Sequence, residues 1–150
     1  IRKKRKLEEK KMSIFANEVL AFINSQKIMR LSTCNKCFPH VVPLCFVIDN
    51  SHIYFETKEN TRKVRNILRN RKVAALFDEY GDKGGKPYYK GVIAQGEASI
   101  LEYGSDEFLR AKELLYKKYP FFEKHFPIIP GSGRIIIKII VNRLISWEYP

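Results

Sequence analysis

The amino-acid sequence predicts a mainly β protein in which six strands, mostly antiparallel, form a closed or nearly closed barrel with three helices attached at intervals. Three observations predict it. Runs rich in Val, Ile, Phe and Tyr recur along the whole of the 150 residues. The connections between the early runs are too short for parallel crossovers. There is also no regular alternation of strand and helix patterns of the kind that builds a doubly wound sheet. A hydrophobic content of 45%, with 13% aromatic, is enough for a packed core despite a net charge of +12. The length suits one domain and is short for two. No internal repeat, low-complexity segment or linker divides it.

In order, Ser13 to Ser25 reads as an amphipathic helix with Phe15, Val19, Phe22 and Ile23 on one side. Lys27 to Cys34 reads as a strand and Asn35 to Phe38 as its turn. Pro39 to Asp49 reads as one longer apolar strand, and Asp49-Asn50-Ser51 as a tight turn. His52 to Thr57 completes an antiparallel meander. After a basic helix come a buried strand, Lys72 to Asp78, a glycine-rich loop, Gly81 to Lys86, and a strand, Tyr88 to Leu101, in which Gly96 marks a bulge or a close approach. Ser105 opens a helix with Asp106 and Glu107 in its first turn, running to about Lys118 before Pro120. Phe121 to Gly133 is an aromatic, proline-containing connection, and Arg134 to Trp147 is the last strand. Pro43 cannot donate to a ladder, so it belongs at an edge, at a bulge, or where something other than a strand approaches.

The basic helix is the segment with a chemical signature. Its apolar positions Val64, Ile67 and Leu68 have the spacing of one buried face, and Asn60 or Thr61 can cap it. Arg62 and Lys63 place two cations in the first turn, where the free N–H groups and the positive end of the helix dipole already lie. An anion would relieve that arrangement. A phosphate held by the helix N-terminus, the Thr61 hydroxyl and the Arg62 fork would do so. A solvated basic face without a ligand is the other reading.

Most of the charge is localised. Arg2 to Lys11 carries seven bases and two acids, and Lys58 to Lys72 carries seven bases and one acid. We therefore divide the chain into a basic N-terminal arm, residues 1–12, and a single domain, residues 13–150. No apolar run is long enough to cross a bilayer, and no signal-type stretch follows the charged N-terminus, so a cytoplasmic location is expected. Cys34 and Cys37 form a lone C-x-x-C without a second pair or histidines at ligand spacing, which predicts reduced thiols at a hairpin turn and no metal site. Cys45 lies in an apolar run and is expected in the core.

The chain resembles the pyridoxamine 5'-phosphate oxidase-like, FMN-binding split-barrel family. The matching segments are Leu31-Ser32-Thr33, Pro39-His40-Val41-Val42-Pro43 with Phe46-Val47, Ile53-Tyr54-Phe55-Glu56-Thr57 and Arg62-Lys63-Val64-Arg65-Asn66-Ile67. They continue through Asn70 to Ala74, Asp78-Glu79-Tyr80, Gly91-Val92, Gly96-Glu97-Ala98 and Ile145-Ser146-Trp147. Their order and spacing cover nearly everything from Ser13 to Trp147.

The resemblance implies a six-stranded split barrel and a homodimer with flavin at the subunit interface. It implies that Arg62 and Lys63 hold the FMN phosphate and that Glu56 and Thr57 lie along its ribityl and phosphate side. It also implies that the backbone of Val42, Pro43 and Leu44 passes the isoalloxazine ring. The chain departs from the authentic oxidase, because Val42 to Val47 is wholly apolar where that enzyme has basic residues, and its C-terminal Trp-and-Arg region has no counterpart. Pyridoxamine phosphate is therefore not the expected substrate. Asp78-Glu79-Tyr80 and Gly91-Val92 resemble a branch that uses the deazaflavin coenzyme, which stands as the alternative cofactor.

An oxidoreductase of this kind needs few catalytic side chains, because the flavin carries the hydride while the protein binds, orients and excludes water. No catalytic residue is assigned. His40, His52 and His125 have no triad spacing and are expected to be structural or surface residues. Asp78 and Glu79, adjacent on a strand, point to opposite faces. Trp147 and Tyr80 are expected in the core, with flanking of the ring as the other role. Arg30 has two readings, an anionic substrate or cofactor and a surface ion pair. Two readings of another class are a flavin-storage protein and a nucleic-acid-binding barrel. The second is opposed by the absence of any aromatic residue in Lys58 to Lys72 on which bases would stack.

Overall fold

The computed structural model describes residues 17–150. The basic arm, the first residues of the expected N-terminal helix and Phe15 lie outside the described residues. Helix α1 (residues 17–25) buries Val19 and Ile23 in the main core and packs Phe22 against it. Seven strands follow in one antiparallel sheet: β1 (Met29–Asn35), β2 (Phe38–Leu44), β3 (Val47–Asp49), β4 (His52–Lys58), β5 (Lys72–Lys83), β6 (Lys86–Ile100) and β7 (Arg134–Tyr149). Helix α2 (Arg62–Arg69) lies between β4 and β5, while α3 (Asp106–Lys118) and α4 (Phe121–His125) lie between β6 and β7. No helix among the described residues is long and apolar enough to cross a membrane.

The strand order is β2-β1-β5-β6-β7-β4-β3. The expected second strand, Pro39 to Asp49, is two strands that sit at opposite ends of this order and are joined only by Cys45 and Phe46. The meander holds through different halves of that run. β2 pairs with β1, with Pro43 opposite Arg30, and β3 pairs with β4, with Val47 opposite Tyr54. One covalent step thus joins the two edges of the sheet, which gives the split barrel its seven strands. Periodicity does not show the break, because both halves are rich in apolar residues although only the β3 half is buried. Pro43 does sit on an edge strand, as its missing N–H requires.

At the break, the Tyr119 hydroxyl accepts the Phe46 N–H at 3.1 Å and lies 2.9 Å from the carbonyl oxygens of Phe46 and Lys27. It replaces the ladder partner that Phe46 loses. Burial pushes the Tyr119 hydroxyl pKa up to about 12, so it stays a neutral donor and acceptor. Tyr119→Phe leaves the buried Phe46 N–H without an acceptor and is expected to cost roughly 1–3 kcal/mol. A lower denaturant midpoint at unchanged slope would show it, and an unmoved midpoint would assign the break to packing alone.

The core has two parts. Leu31, Phe46, Ile53, Phe55, Phe77 and Ile137 fill the barrel with Val64 and Ile67 of α2. Tyr54, Phe108, Leu115, Tyr119, Phe122 and Ile136 pack α3 and α4 against the outside of β3, β4 and β7. Ser105 caps α3 by accepting the Phe108 N–H at 3.2 Å. The expected loop Gly81 to Lys86 is instead mostly the tip of a long β5–β6 hairpin turning at Gly84 and Gly85, both at positive φ. Gly96 lies at the irregularity between β6 and β7, and a Cβ there would collide with the Ile140 carbonyl oxygen. The close approach expected of it is present.

Candidate functional site

The N-terminus of α2 is open to an anion. Thr61 is the N-cap with extended backbone, yet its hydroxyl makes no cap bond and donates to the Lys58 carbonyl at 3.2 Å. No acid stands in the first turn. The first-turn N–H groups are therefore uncapped by any described side chain, with Arg62 and Lys63 beside them. The residues present fit a phosphate group.

Around the helix, at about 100° per residue, Lys63 falls between Asn66 and Ile67, inside the buried arc, whereas Leu68 falls beyond its edge. Leu68 is accordingly 67% exposed, against the expectation that it shares the buried face. Asn66 takes that place. It is 6% exposed and donates to the Thr33 hydroxyl at 3.0 Å, while Asn70 donates to the Cys34 carbonyl at 3.0 Å. These two bonds fix α2 against β1.

Arg62 and Lys63 diverge. Burial pulls the Lys63 pKa down, and the nearby Glu56 carboxylate opposes the shift. Glu56 is itself held by Arg134, Nη1 to Oε2 at 2.6 Å, with both side chains largely out of water. Its field also reaches Cys45, whose thiol pKa is raised by burial first and by Glu56 second. Cys45, next in the chain after Val42, Pro43 and Leu44, thus shares one electrostatic patch with Glu56 and Lys63. Thr57 is 5% exposed and lies on the barrel face of β4 with Phe55, opposite to Glu56. Arg62 is exposed and faces the outer side of α2.

Two residues of this patch were not expected. Arg134 lies 78 positions from Glu56 in sequence and meets it only because β4 pairs with β7. Lys118, at the end of α3, carries a buried Nζ with no hydrogen-bond partner among the described residues, 3.8 Å from the centre of the Phe46 ring. Its helix position gives no sequence signal.

Burial, with the positive Lys27 nearby, pulls the Lys118 pKa down to about 8. Between about pH 8 and the ordinary lysine range, the unfolded chain keeps a proton the folded chain has released, so stability rises with pH there. Lys118→Met is expected to flatten that rise and to stabilise the fold at pH 7 by on the order of 1 kcal/mol. Thermal melts at pH 7 and pH 10 read both effects, and a slope retained in the variant would assign it to another group.

The remaining candidates sort by placement. Arg30 pairs with Asp78 at 2.5 Å, which answers its two readings with an ion pair. Asp78 and Glu79 have separate partners: Glu79 accepts from Tyr88 at 2.8 Å, on a different set of contacts from Arg30. Tyr80 is 75% exposed, against the expectation of core packing, whereas Trp147 is half-buried opposite Gly91, near Tyr89. His52 packs edge-on to Tyr54, while His40 and His125 belong to β2 and α4. Cys37 sits in the β1–β2 turn at positive φ and Cys34 pairs in register with Pro39.

Fold and site together define an antiparallel split barrel with an anion-ready helix terminus beside a buried ion pair. The family model for pyridoxamine 5'-phosphate oxidase matches residues 15–139, and the chain belongs to that family. Similar solved structures include a FAD-binding protein from Mesorhizobium loti, 19% identical, covering 91% of this chain and 94% of that one at a TM-score of 0.73. A FAD-binding protein from Mycobacterium smegmatis is 18% identical, covering 90% and 97% at 0.68. A heme storage protein from Vibrio cholerae is 16% identical, covering 86% and 92% at 0.72. At these identities the structures show a shared fold. A search of curated proteins finds no match.

Proposed function

We propose that this chain is a flavin-dependent oxidoreductase that passes hydride or electrons between a bound flavin and a small molecule. The observation that carries the reading is the uncapped, acid-free first turn of α2, whose first two residues are Arg62 and Lys63. FMN is the smallest flavin carrying the required phosphate. Arg62 and Lys63 would hold that phosphate, with the Thr61 hydroxyl turning from the Lys58 carbonyl to donate to it; Glu56 and Thr57 would border the ribityl side, and Val42, Pro43 and Leu44 would offer backbone to the ring. A bound flavin supplies hydride exchange, and the protein's part is to bind, orient and keep water out. Glu56, ion-paired with Arg134, opposes the effect of burial on Lys63. The two FAD-binding neighbours support a flavin.

The working unit we propose is a homodimer with the cofactor at the subunit interface. Pyridoxamine phosphate is not the proposed substrate, because Val42 to Val47 presents no cation to its phosphate. The test is absorption and calorimetric titration of the purified protein with FMN, the deazaflavin coenzyme and hemin, then reduction by NAD(P)H. Saturation at one FMN per chain, followed by bleaching of the flavin, is the expected result. Binding of deazaflavin in place of FMN would change the cofactor. Binding of hemin alone would overturn the reading in favour of the heme-binding side of the fold.

A further inference from the structure

Helix α2 carries, on the side away from Val64 and Ile67, a cationic stripe that a single phosphate at its N-terminus does not use. At about 100° per residue, Arg62, Arg65 and Arg69 fall within an arc of about 60°, and all three are exposed. Lys36, exposed in the β1–β2 turn, lines an open cleft with them. Among the described residues, none of these four cations makes an ion pair with a carboxylate. Lys58 to Lys72 holds one acid, Glu59, against seven bases.

An apolar side chain borders the stripe on each side. Leu68 falls about 60° beyond Arg65 around the helix and is 67% exposed. On the other side, past Asn66 and its bond to Thr33, lies the β1–β2 hairpin, where Phe38 lines the same cleft and is 68% exposed.

An exposed cationic row between two exposed apolar side chains fits an anionic phospholipid surface. Guanidinium forks suit the phosphate oxygens of the head groups. Leu and Phe beside them suit the boundary between head groups and acyl chains, as in segments that lie in a membrane interface. A groove that tracks nucleic acid instead offers bases a series of aromatic platforms. Lys58 to Lys72 has none and the cleft has one, and the exposure of Leu68 serves no purpose in such a groove. Docking against a bilayer needs no spanning segment, and no helix among the described residues is one.

We propose that the outer face of α2 and the β1–β2 turn dock this chain on an anionic membrane surface, with Lys36, Arg65 and Arg69 meeting lipid phosphates while Leu68 and Phe38 enter the interface. Only Arg62 is shared with the phosphate site at the helix terminus, so this surface stands whether or not a flavin binds there.

Co-sedimentation of the full chain with vesicles of phosphatidylcholine alone, and of phosphatidylcholine mixed with phosphatidylserine, at low and high salt, tests it. The wild-type protein is expected to bind only the vesicles that contain phosphatidylserine and to leave them as salt rises. The exposed variant Arg65→Gln/Arg69→Gln, its fold checked by circular dichroism, is expected to bind them roughly thirtyfold more weakly. Lys83→Gln/Lys86→Gln removes the same charge at the exposed tip of the β5–β6 hairpin and is expected to stay within about threefold of wild type. Leu68→Gln keeps every charge and is expected to lose roughly tenfold. Absence of binding to phosphatidylserine overturns the proposal, and so does wild-type binding by the arginine variant, which places the contact elsewhere on the chain. Equal loss in the arginine and hairpin variants overturns it by reducing the attraction to net charge. Wild-type binding by Leu68→Gln overturns it as well, because charge alone then holds the chain. A thymidine oligonucleotide that binds the wild type and not the arginine variant, without vesicle binding, reassigns the face to nucleic acid.

Discussion

Arg134→Ala is expected to destabilise the fold by roughly 3 kcal/mol, because it leaves the largely buried Glu56 carboxylate without its main partner. It also removes the guanidinium 4.7 Å from the centre of the Phe126 ring, so part of the loss is packing between β7 and α4. Breaking a buried pair by removing one member costs far more than replacing both members with apolar groups of similar size. The double variant Glu56→Leu/Arg134→Met is therefore expected to recover most of the stability, and the cycle isolates the pair from the packing. Chemical denaturation of the four proteins reads it. A single variant as stable as wild type would show that Lys63 and water already neutralise Glu56. Because Glu56 favours the charged form of Lys63, the double variant is expected to bind anions less well even where it folds well.

Arg62→Ala combined with Lys63→Ala is expected to weaken flavin binding by at least about tenfold, since hydrogen bonds to charged groups contribute roughly 1.5–3 kcal/mol each. Binding of riboflavin, which has no phosphate, is expected to change little in the same variant. That comparison separates loss of a phosphate contact from general damage to the site. An unchanged FMN affinity would remove the phosphate from the N-terminus of α2. Raising the salt concentration should weaken FMN binding to the wild type more than to the variant, because the Arg62 side of the contact is exposed and screened.

The basic helix shows how far a sequence pattern reaches. Val64 and Ile67 at three-residue spacing marked the buried side, and Arg62 and Lys63 before them marked a terminus suited to an anion. Leu68 was misplaced by the same rule, because a spacing pattern identifies a face without fixing its angular limits. The neighbour that set the limit was β1, which accepts Asn66 through Thr33 and so rotates the buried arc away from Leu68. Tyr80 was misplaced for a related reason: it lies near the tip of a hairpin that extends further than the local turn signals indicated. Its neighbour Asp78 sits nearer the barrel, where Arg30 reaches it.

Legible in the sequence are the mainly β antiparallel architecture, the positions of most strands, the start of α3 at Ser105 and the family, and, as one of the few placements each residue allows, the edge position of Pro43 and the close approach at Gly96. Each is written in local spacing or in one residue's backbone chemistry. Tertiary structure alone decided that the apolar run Pro39 to Asp49 is divided between the two ends of the sheet. It alone decided that Arg134 pairs with Glu56 and that Tyr119 fills the break at Phe46. Those meetings depend on the closed tertiary fold, which brings Arg134 to Glu56 across 78 positions and Tyr119 to Phe46 across 73. No local period records which distant strand becomes a neighbour; the register of the closed sheet does.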